Sequence, residues 1–350
     1  MVSWRRVVGS AASAVDRAVV AAMQARAAPQ RARAEALSHA ERLEALASVA
    51  AAYGEPSLLE DPSRYFVPPP EPSMRLREVR PGVWDAEWPS AFEPFLADVA
   101  ERYMARIENR TARARLFLGP GKRRSAVIAV HGYMGGYFML EEPQWPIAWL
   151  LRRGLDVALP VLPLHGLRAG ARRGAPAFPS ADPRLTNEGF RQAVTDIVSL
   201  VRFFRARGAE RVGVMGVSLG GYTSALVATV SREIDFVMPM IPLASIADFA
   251  REQGRLGEGL EAEAQHAALE RANWIVSPLA RRLSMPASRA LVVGAEYDRI
   301  TPHRHAARIA GHFACELVNI PGGHLVQVGR SEAFRRLGSM LEREGIIAPR

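Results

Sequence analysis

The stretch that decides the fold is VGVMGVSLGGYTSALVA, residues Val212 to Ala228. Val212 to Val217 is an unbroken run of small and β-branched residues, the composition of a strand buried on both faces. Ser218 to Gly221 reads as a tight turn, and the residues from Tyr222 onward read as an apolar helix. A strand that becomes a helix within so few residues brings two backbones close together. Gly216 and Gly220, two before and two after the serine, are the residues that permit it. The segment Gly216-Val217-Ser218-Leu219-Gly220 is therefore G-x-S-x-G in a strand–turn–helix setting, which strains the serine backbone and projects its hydroxyl into open space. The first N–H groups of the following helix face any negative charge that develops there. A hydroxyl presented in this way is a candidate nucleophile.

A serine hydroxyl needs a base, and the base needs an acceptor on its far nitrogen. In PGGHLVQVG, His324 follows the last apolar run, and two glycines make a loop that can bring its imidazole beside Ser218. In LVVGAEYDRITP, Asp298 follows another apolar run and lies between Ser218 and His324 in the chain. The order is then serine, acid, histidine. Asp248 is the competing acid, and Glu296 is expected to point to the opposite side. Acyl chemistry also needs two donors for an oxyanion: one is the N–H of Leu219, the other the N–H of Tyr133 in VHGYMGG, ahead of that of Met134. His131 in the same loop is expected to bond loop backbone. Met134, His165 in LPLHGLR and Trp274 are the candidate substrate contacts.

Working outward, short apolar runs at 125–130, 156–162, 236–241, 290–295 and 315–320 alternate with amphipathic helices at 145–153, 188–207, 303–310 and 332–344. Continuous apolar strands separated by helices imply a mostly parallel sheet covered on both faces, with function at the carboxyl ends of its strands. Residues 74–118 are expected to supply a helix and a leading strand or hairpin. The insertion 245–286 is longer than a connection needs and reads as helical, a candidate lid over the carboxyl edge. Ahead of this domain (73–350), residues 1–72 form a helical extension and a Pro-rich connector. Val8, Ala12, Val15, Val19 and Ala22 fall on one face of a first helix whose only acid is Asp16, and residues 35–53 form a second helix ending at Gly54. The favoured reading is a helical pair packed on the main domain; a peripheral membrane contact through the first helix is the less favoured one. A chain lacking residues 1–72 is expected to keep its turnover.

Composition excludes several classes. The 350 residues, 49% of them hydrophobic, are enough for one large α/β domain with an appendage. Cys315 is the only cysteine, so no intramolecular disulfide framework exists. No window has the uninterrupted apolar length of a membrane span, and the expected location is cytoplasmic. The formal charge of +9 comes almost wholly from arginines spread along the chain, without a nucleic-acid-binding motif, so no nucleic-acid partner is expected. No ligand-spaced His or Cys cluster appears, and neither a metal nor another cofactor is expected.

The HG loop, the G-x-S-x-G turn, the acid and the GGH, in this order at strand ends, resemble the α/β-hydrolase superfamily over residues 74–350. The resemblance implies an eight-stranded, mainly parallel sheet and a serine hydrolase of the esterase and lipase kind. It would cleave a carboxylic ester or related acyl compound with a Ser218-His324-Asp298 triad and the Leu219 and Tyr133 donors. HGYMGG departs from the HGGG loop of one lipase and esterase branch, and the N-terminal helices have no counterpart in the resemblance. An acyltransferase or peptidase on the same scaffold, or an idle hydrolase fold that serves as a binding module, are the alternatives.

Overall fold

The computed structural model describes residues 4, 8–21, 37–121, 124–170 and 174–349. Its helices are α1 (8–21), α2 (His39–Tyr53), α3 (Pro56–Glu60), α4 (Ala97–Met104), α5 (Phe138–Glu141), α6 (Ile147–Arg152), α7 (Pro183–Ala206), α8 (Leu219–Val230), α9 (Ile246–Glu252), α10 (Gly259–Ala272), α11 (Arg304–Phe313) and α12 (Arg330–Arg343). Its strands are β1 (Arg75–Arg80), β2 (Val83–Pro89), β3 (Thr111–Phe117), β4 (Ser125–Val130), β5 (Leu155–Pro160), β6 (Val212–Val217), β7 (Phe236–Met240), β8 (Leu291–Ala295) and β9 (Glu316–Ile320).

These strands form one sheet in the order β1-β2-β3-β5-β4-β6-β7-β8-β9. β4 to β9 run parallel, and β1, β2 and β3 add an antiparallel flank through β3 on β5. The α/β class and the mainly parallel sheet match the sequence reading, but there are nine strands where eight were expected. The extra one is β1, RLREVR, an edge strand with mostly exposed side chains. With only Leu76 half-buried against the core it carries no apolar alternation, and it is held mainly by backbone pairing and by ion pairs such as Arg77 to Asp85 (2.8 Å).

Both faces of the sheet are covered, as a parallel sheet requires. Val212 and Val214 of β6 join Phe190, Ile197, Tyr222 and Leu226 in the core under α7 and α8. Met215 and Val217 point the other way, into a core with Phe236, Val293, Phe334 and Leu337 under α12. Helix α7 starts at a well-built N-terminus, where Asp182 accepts from the Arg184 N–H (3.0 Å) and Pro183 fills the first position. Helix α2 begins with a Ser38–Glu41 capping box and packs on α10, and its Tyr53 hydroxyl donates to Glu188 of α7 (2.9 Å). Its buried residues are Val49 and Tyr53. No helix among the described residues is long and apolar enough to cross a membrane.

The chain leaves β4 for β5 on one side and places β6 on the other. That reversal opens a crevice at the carboxyl ends of β4 and β6, where ligands of open α/β sheets bind.

Candidate active site

Ser218 stands at the end of β6 in that crevice, with φ 57° and ψ −113°. A left-handed φ is costly for a residue with a Cβ, and it persists because the surroundings over-determine it. The Ser218 N–H donates to the Met240 carbonyl (3.0 Å) and its own carbonyl accepts from Tyr222 N–H (2.9 Å). A Cβ on Gly216 would overlap the carbonyl of Gly220, and one on Gly220 would overlap the carbonyl oxygens of Val130 and His131. The two glycines flanking the serine are thus steric requirements of the bend. Leu219 opens α8, so its N–H has no acceptor within the helix and lies beside the serine at the positive end of the helix dipole.

His324 Nε2 lies 2.9 Å from Ser218 Oγ, and His324 Nδ1 lies 2.7 Å from Asp298 Oδ2. All three side chains are in residues under 10% exposed: Ser218 9%, His324 7% and Asp298 4%. The other oxygen of Asp298 accepts from the N–H groups of Ile300 and Thr301, both at 2.8 Å, which orients the carboxylate toward the imidazole. With Nδ1–H donating to Asp298, Nε2 presents a lone pair to the serine hydroxyl. The competing acid Asp248 is elsewhere, bonded to His266 Nε2 (2.7 Å) and paired with Arg308.

The loop after β4 closes against the serine. A Cβ on Gly132 would stand 3.6 Å from the Ser218 Cβ, so Gly132 lies against the serine. Gly135 N–H donates to the Gly132 carbonyl (3.2 Å), and Gly136 N–H to Glu141 Oε1 (3.0 Å). Burial pushes the Glu141 carboxyl up. His131 is tied down, as expected: Nδ1 donates to the Gly132 carbonyl (2.7 Å) and Nε2 accepts from Leu162 N–H (3.0 Å). Burial holds its pKa down to about 4, which keeps the ring neutral.

Two expected substrate contacts are relocated. His165 is fully buried, with Nδ1 donating to the Pro163 carbonyl (2.9 Å) and its ring in edge contact with Tyr133 and Phe178. Burial pushes its pKa down to about 3, so it is a neutral support beneath the Tyr133 loop with no surface of its own to offer a substrate. Trp274 packs on the core cluster of Ala225, Ala244, Ile309 and Phe313 between α8 and α11. It is a packing residue. Met134 does stand in the open, half exposed, on the loop beside Ser218.

Residues 245–286 carry α9 and α10 and then return to the core, where Tyr222 OH donates to the Val276 carbonyl (3.0 Å) and Ile275 is buried. Exposed apolar side chains also stand on the two loops of the site: Tyr133, Met134 and Tyr137 after β4, and Leu325 and Val326 after His324.

Two functional candidates escaped the sequence reading. Thr301 Oγ1 lies 3.0 Å from Asp298 Oδ2, from His324 Nδ1 and from the Ile241 carbonyl oxygen, and so braces acid and base together. Its signal was its place three residues after Asp298. The second is Asp16. Of the face expected for α1, Ala12 is buried, Val8 and Val19 are half-buried, Val15 is exposed and Ala22 lies outside the described residues; the buried face is Gly9, Ala12, Ser13 and Asp16, which docks on the Tyr297 ring and on backbone amides. Asp16 was legible only as the one acid of a basic segment.

No family model matches the chain. It is 29% identical over 310 residues to an uncharacterized protein of Mycobacterium tuberculosis, covering 85% of this chain and 74% of that one. Among solved structures it is similar to acetyl xylan esterase 1 from a Thermoanaerobacterium species (TM-score 0.55, 16% identity, 80% of this chain and 91% of that one). It is also similar to an acetyl xylan esterase from a Paenibacillus species (TM-score 0.55, 16% identity, 81% of this chain and 93% of that one). The fold is the α/β-hydrolase fold.

Proposed function

We propose that the chain is a carboxylic-ester hydrolase acting through an acyl-serine at Ser218. The observation that carries this is the continuous hydrogen-bond line from Ser218 Oγ through His324 to Asp298, at 2.9 and 2.7 Å, next to a helix N-terminus. As Oγ attacks the ester carbonyl, Nε2 takes its proton and Asp298 stabilises the resulting imidazolium. The carbonyl oxygen becomes an oxyanion facing Leu219 N–H, with the Tyr133 N–H, one peptide past Gly132, assigned as the second donor. The imidazolium returns its proton to the departing alkoxide, the alcohol leaves, and the acyl group stays on Oγ. Water then attacks, giving its proton to Nε2. The second tetrahedral intermediate expels Oγ, which recovers that proton, and the acid is released.

The apolar rim of Tyr133, Met134, Tyr137, Leu325 and Val326 favours an ester with an apolar acyl or aryl part. Chromogenic esters of acetate, butyrate and octanoate test this: turnover that is lost in Ser218→Ala supports it. Absence of turnover with all three, or equal turnover in the variant, rejects it.

A further inference from the structure

The loop that carries His324 has little of its own to hold it. Gly322 and Gly323 precede the histidine and lack side chains, while Leu325 and Val326 after it are 51% and 41% exposed. Within the loop, Gly323 N–H donates to the Val326 carbonyl (3.0 Å), and Gln327 Nε2 donates to the His324 carbonyl (3.0 Å). The Gly322 carbonyl accepts from Tyr297 N–H (3.0 Å), and a further hold, on His324 itself, comes from the far end of the chain.

Asp16, on α1, is fully buried, 308 positions before His324 in the sequence. Its Oδ2 accepts from His324 N–H (2.7 Å) and from Arg299 N–H (3.2 Å); its Oδ1 accepts from Leu325 N–H (3.1 Å). One oxygen thus bridges the base's own peptide and the residue next to the acid. The spacing it fixes is the spacing that the 2.7 Å His324–Asp298 bond requires. Hydrogen bonds to a carboxylate are stronger than neutral ones, which suits a clamp of three backbone amides.

The rest of the helix face is shaped for this docking. A Cβ on Gly323 would come within 2.7 Å of Asp16 Oδ2 and 3.1 Å of Ala12 Cβ, and a Cβ on Gly9 would overlap the Tyr297 ring. Ser13 Oγ accepts from Arg299 Nε and from an Arg17 guanidinium N–H, each at 2.9 Å. Gly9, Ala12, Ser13 and Asp16 together therefore touch residues 297–299 and 323–325, the two loops that hold acid and base.

We propose that Asp16 is a positioning residue for the reaction, setting the geometry of His324 relative to Asp298, and that α1 is an integral part of the active site. The proposal rests on the reading of His324 as the catalytic base. It reverses the expectation that residues 1–72 are dispensable for turnover.

The test uses the full chain with Asp16→Ala, Asp16→Asn and Gly9→Val. A displacement of about 1 Å at a catalytic group costs about 10²-fold. Asp16→Ala should therefore lose about 10²-fold in kcat, and with an acetate ester, too short to depend on the rim residues Leu325 and Val326 of the same loop, KM should change far less than kcat. Asp16→Asn keeps one oxygen for the His324 and Arg299 amides and should lose about tenfold. Gly9→Val, which levers the helix away with Asp16 intact, should lose kcat in the same sense. The far-downfield proton resonance of His324 Nδ1–H should be sharp in the parent and broadened or absent in Asp16→Ala at a temperature where its far-ultraviolet circular dichroism is unchanged. If Asp16→Ala does not fold, Asp16→Asn and Gly9→Val carry the same readouts. Parental kcat and a parental Nδ1–H resonance in the folded variants would overturn the proposal. A parent without esterase turnover would instead reject the hydrolase reading, and the resonance would still decide whether Asp16 holds His324.

Discussion

Asp298→Asn separates the role of the acid from its packing. Each carboxylate oxygen of Asp298 is doubly engaged: Oδ1 with the N–H groups of Ile300 and Thr301 at 2.8 Å, and Oδ2 with His324 Nδ1 at 2.7 Å and Thr301 Oγ1 at 3.0 Å. An asparagine must put its NH2 on one side or the other. Facing the two amides it would forfeit two buried bonds, each worth about 1–3 kcal/mol when left unsatisfied. The cheaper orientation keeps its oxygen on those amides and points NH2 at His324. The imidazole then accepts at Nδ1 and carries its proton on Nε2, where it cannot take the proton of Ser218. Such a tautomer switch costs about 10⁴-fold in kcat, or about 5.5 kcal/mol of transition-state stabilisation. The fold should lose no more than about 1 kcal/mol, since both backbone bonds survive. Steady-state hydrolysis of a chromogenic acetate ester and urea denaturation measure the two quantities. A loss of less than tenfold in kcat, with stability intact, would refute the role given to Asp298.

Other perturbations probe the bend, the buried rings and the rim. Gly220→Ala forces a methyl onto the carbonyl oxygens of Val130 and His131, backbone atoms that cannot swing aside, so urea denaturation should show a loss of about 3 kcal/mol or more; a loss below about 1 kcal/mol would contradict the packing of the bend. The folded pKa values of His131 and His165 lie near 4 and 3, below the ordinary 6.5, so between about pH 6.5 and pH 4 the unfolded chain binds protons that the folded chain refuses. From this pair, stability should be constant above that window and fall as pH drops through it. The fall in denaturation midpoint from pH 7 to pH 5 should be smaller in His165→Phe, and an equal fall would contradict the assignment. Met134→Asp places a charge on the apolar rim, and should lower kcat/KM for an octanoate ester about tenfold relative to an acetate ester; unchanged selectivity would remove Met134 from the acyl site.

The bend at Ser218 was legible because it is a local steric code: two glycines around a serine between a buried strand and an apolar helix admit few other uses. Asp298 and His324 were legible through their places after apolar runs, which put them at one edge of a parallel sheet. β1 was legible only as part of the strand or hairpin expected within 74–118, because its one half-buried apolar side chain, Leu76, sets no alternation of its own. Trp274 and His165 show a different limit. An aromatic or imidazole side chain near a strand end suits a pocket or a core equally well, and only three-dimensional packing separates the two. Asp16 shows the strongest limit: its partners are backbone amides far along the chain, so they leave no residue-type signature.

The central claim, that Ser218 is a nucleophile activated by His324, is tested most directly by intact-mass analysis and peptide mapping after exposure to a fluorophosphonate. The account predicts one phosphonyl adduct, on Ser218, that is absent from Ser218→Ala and slowed in His324→Ala. A parent that stays unlabelled, or an adduct on any other residue, would contradict it.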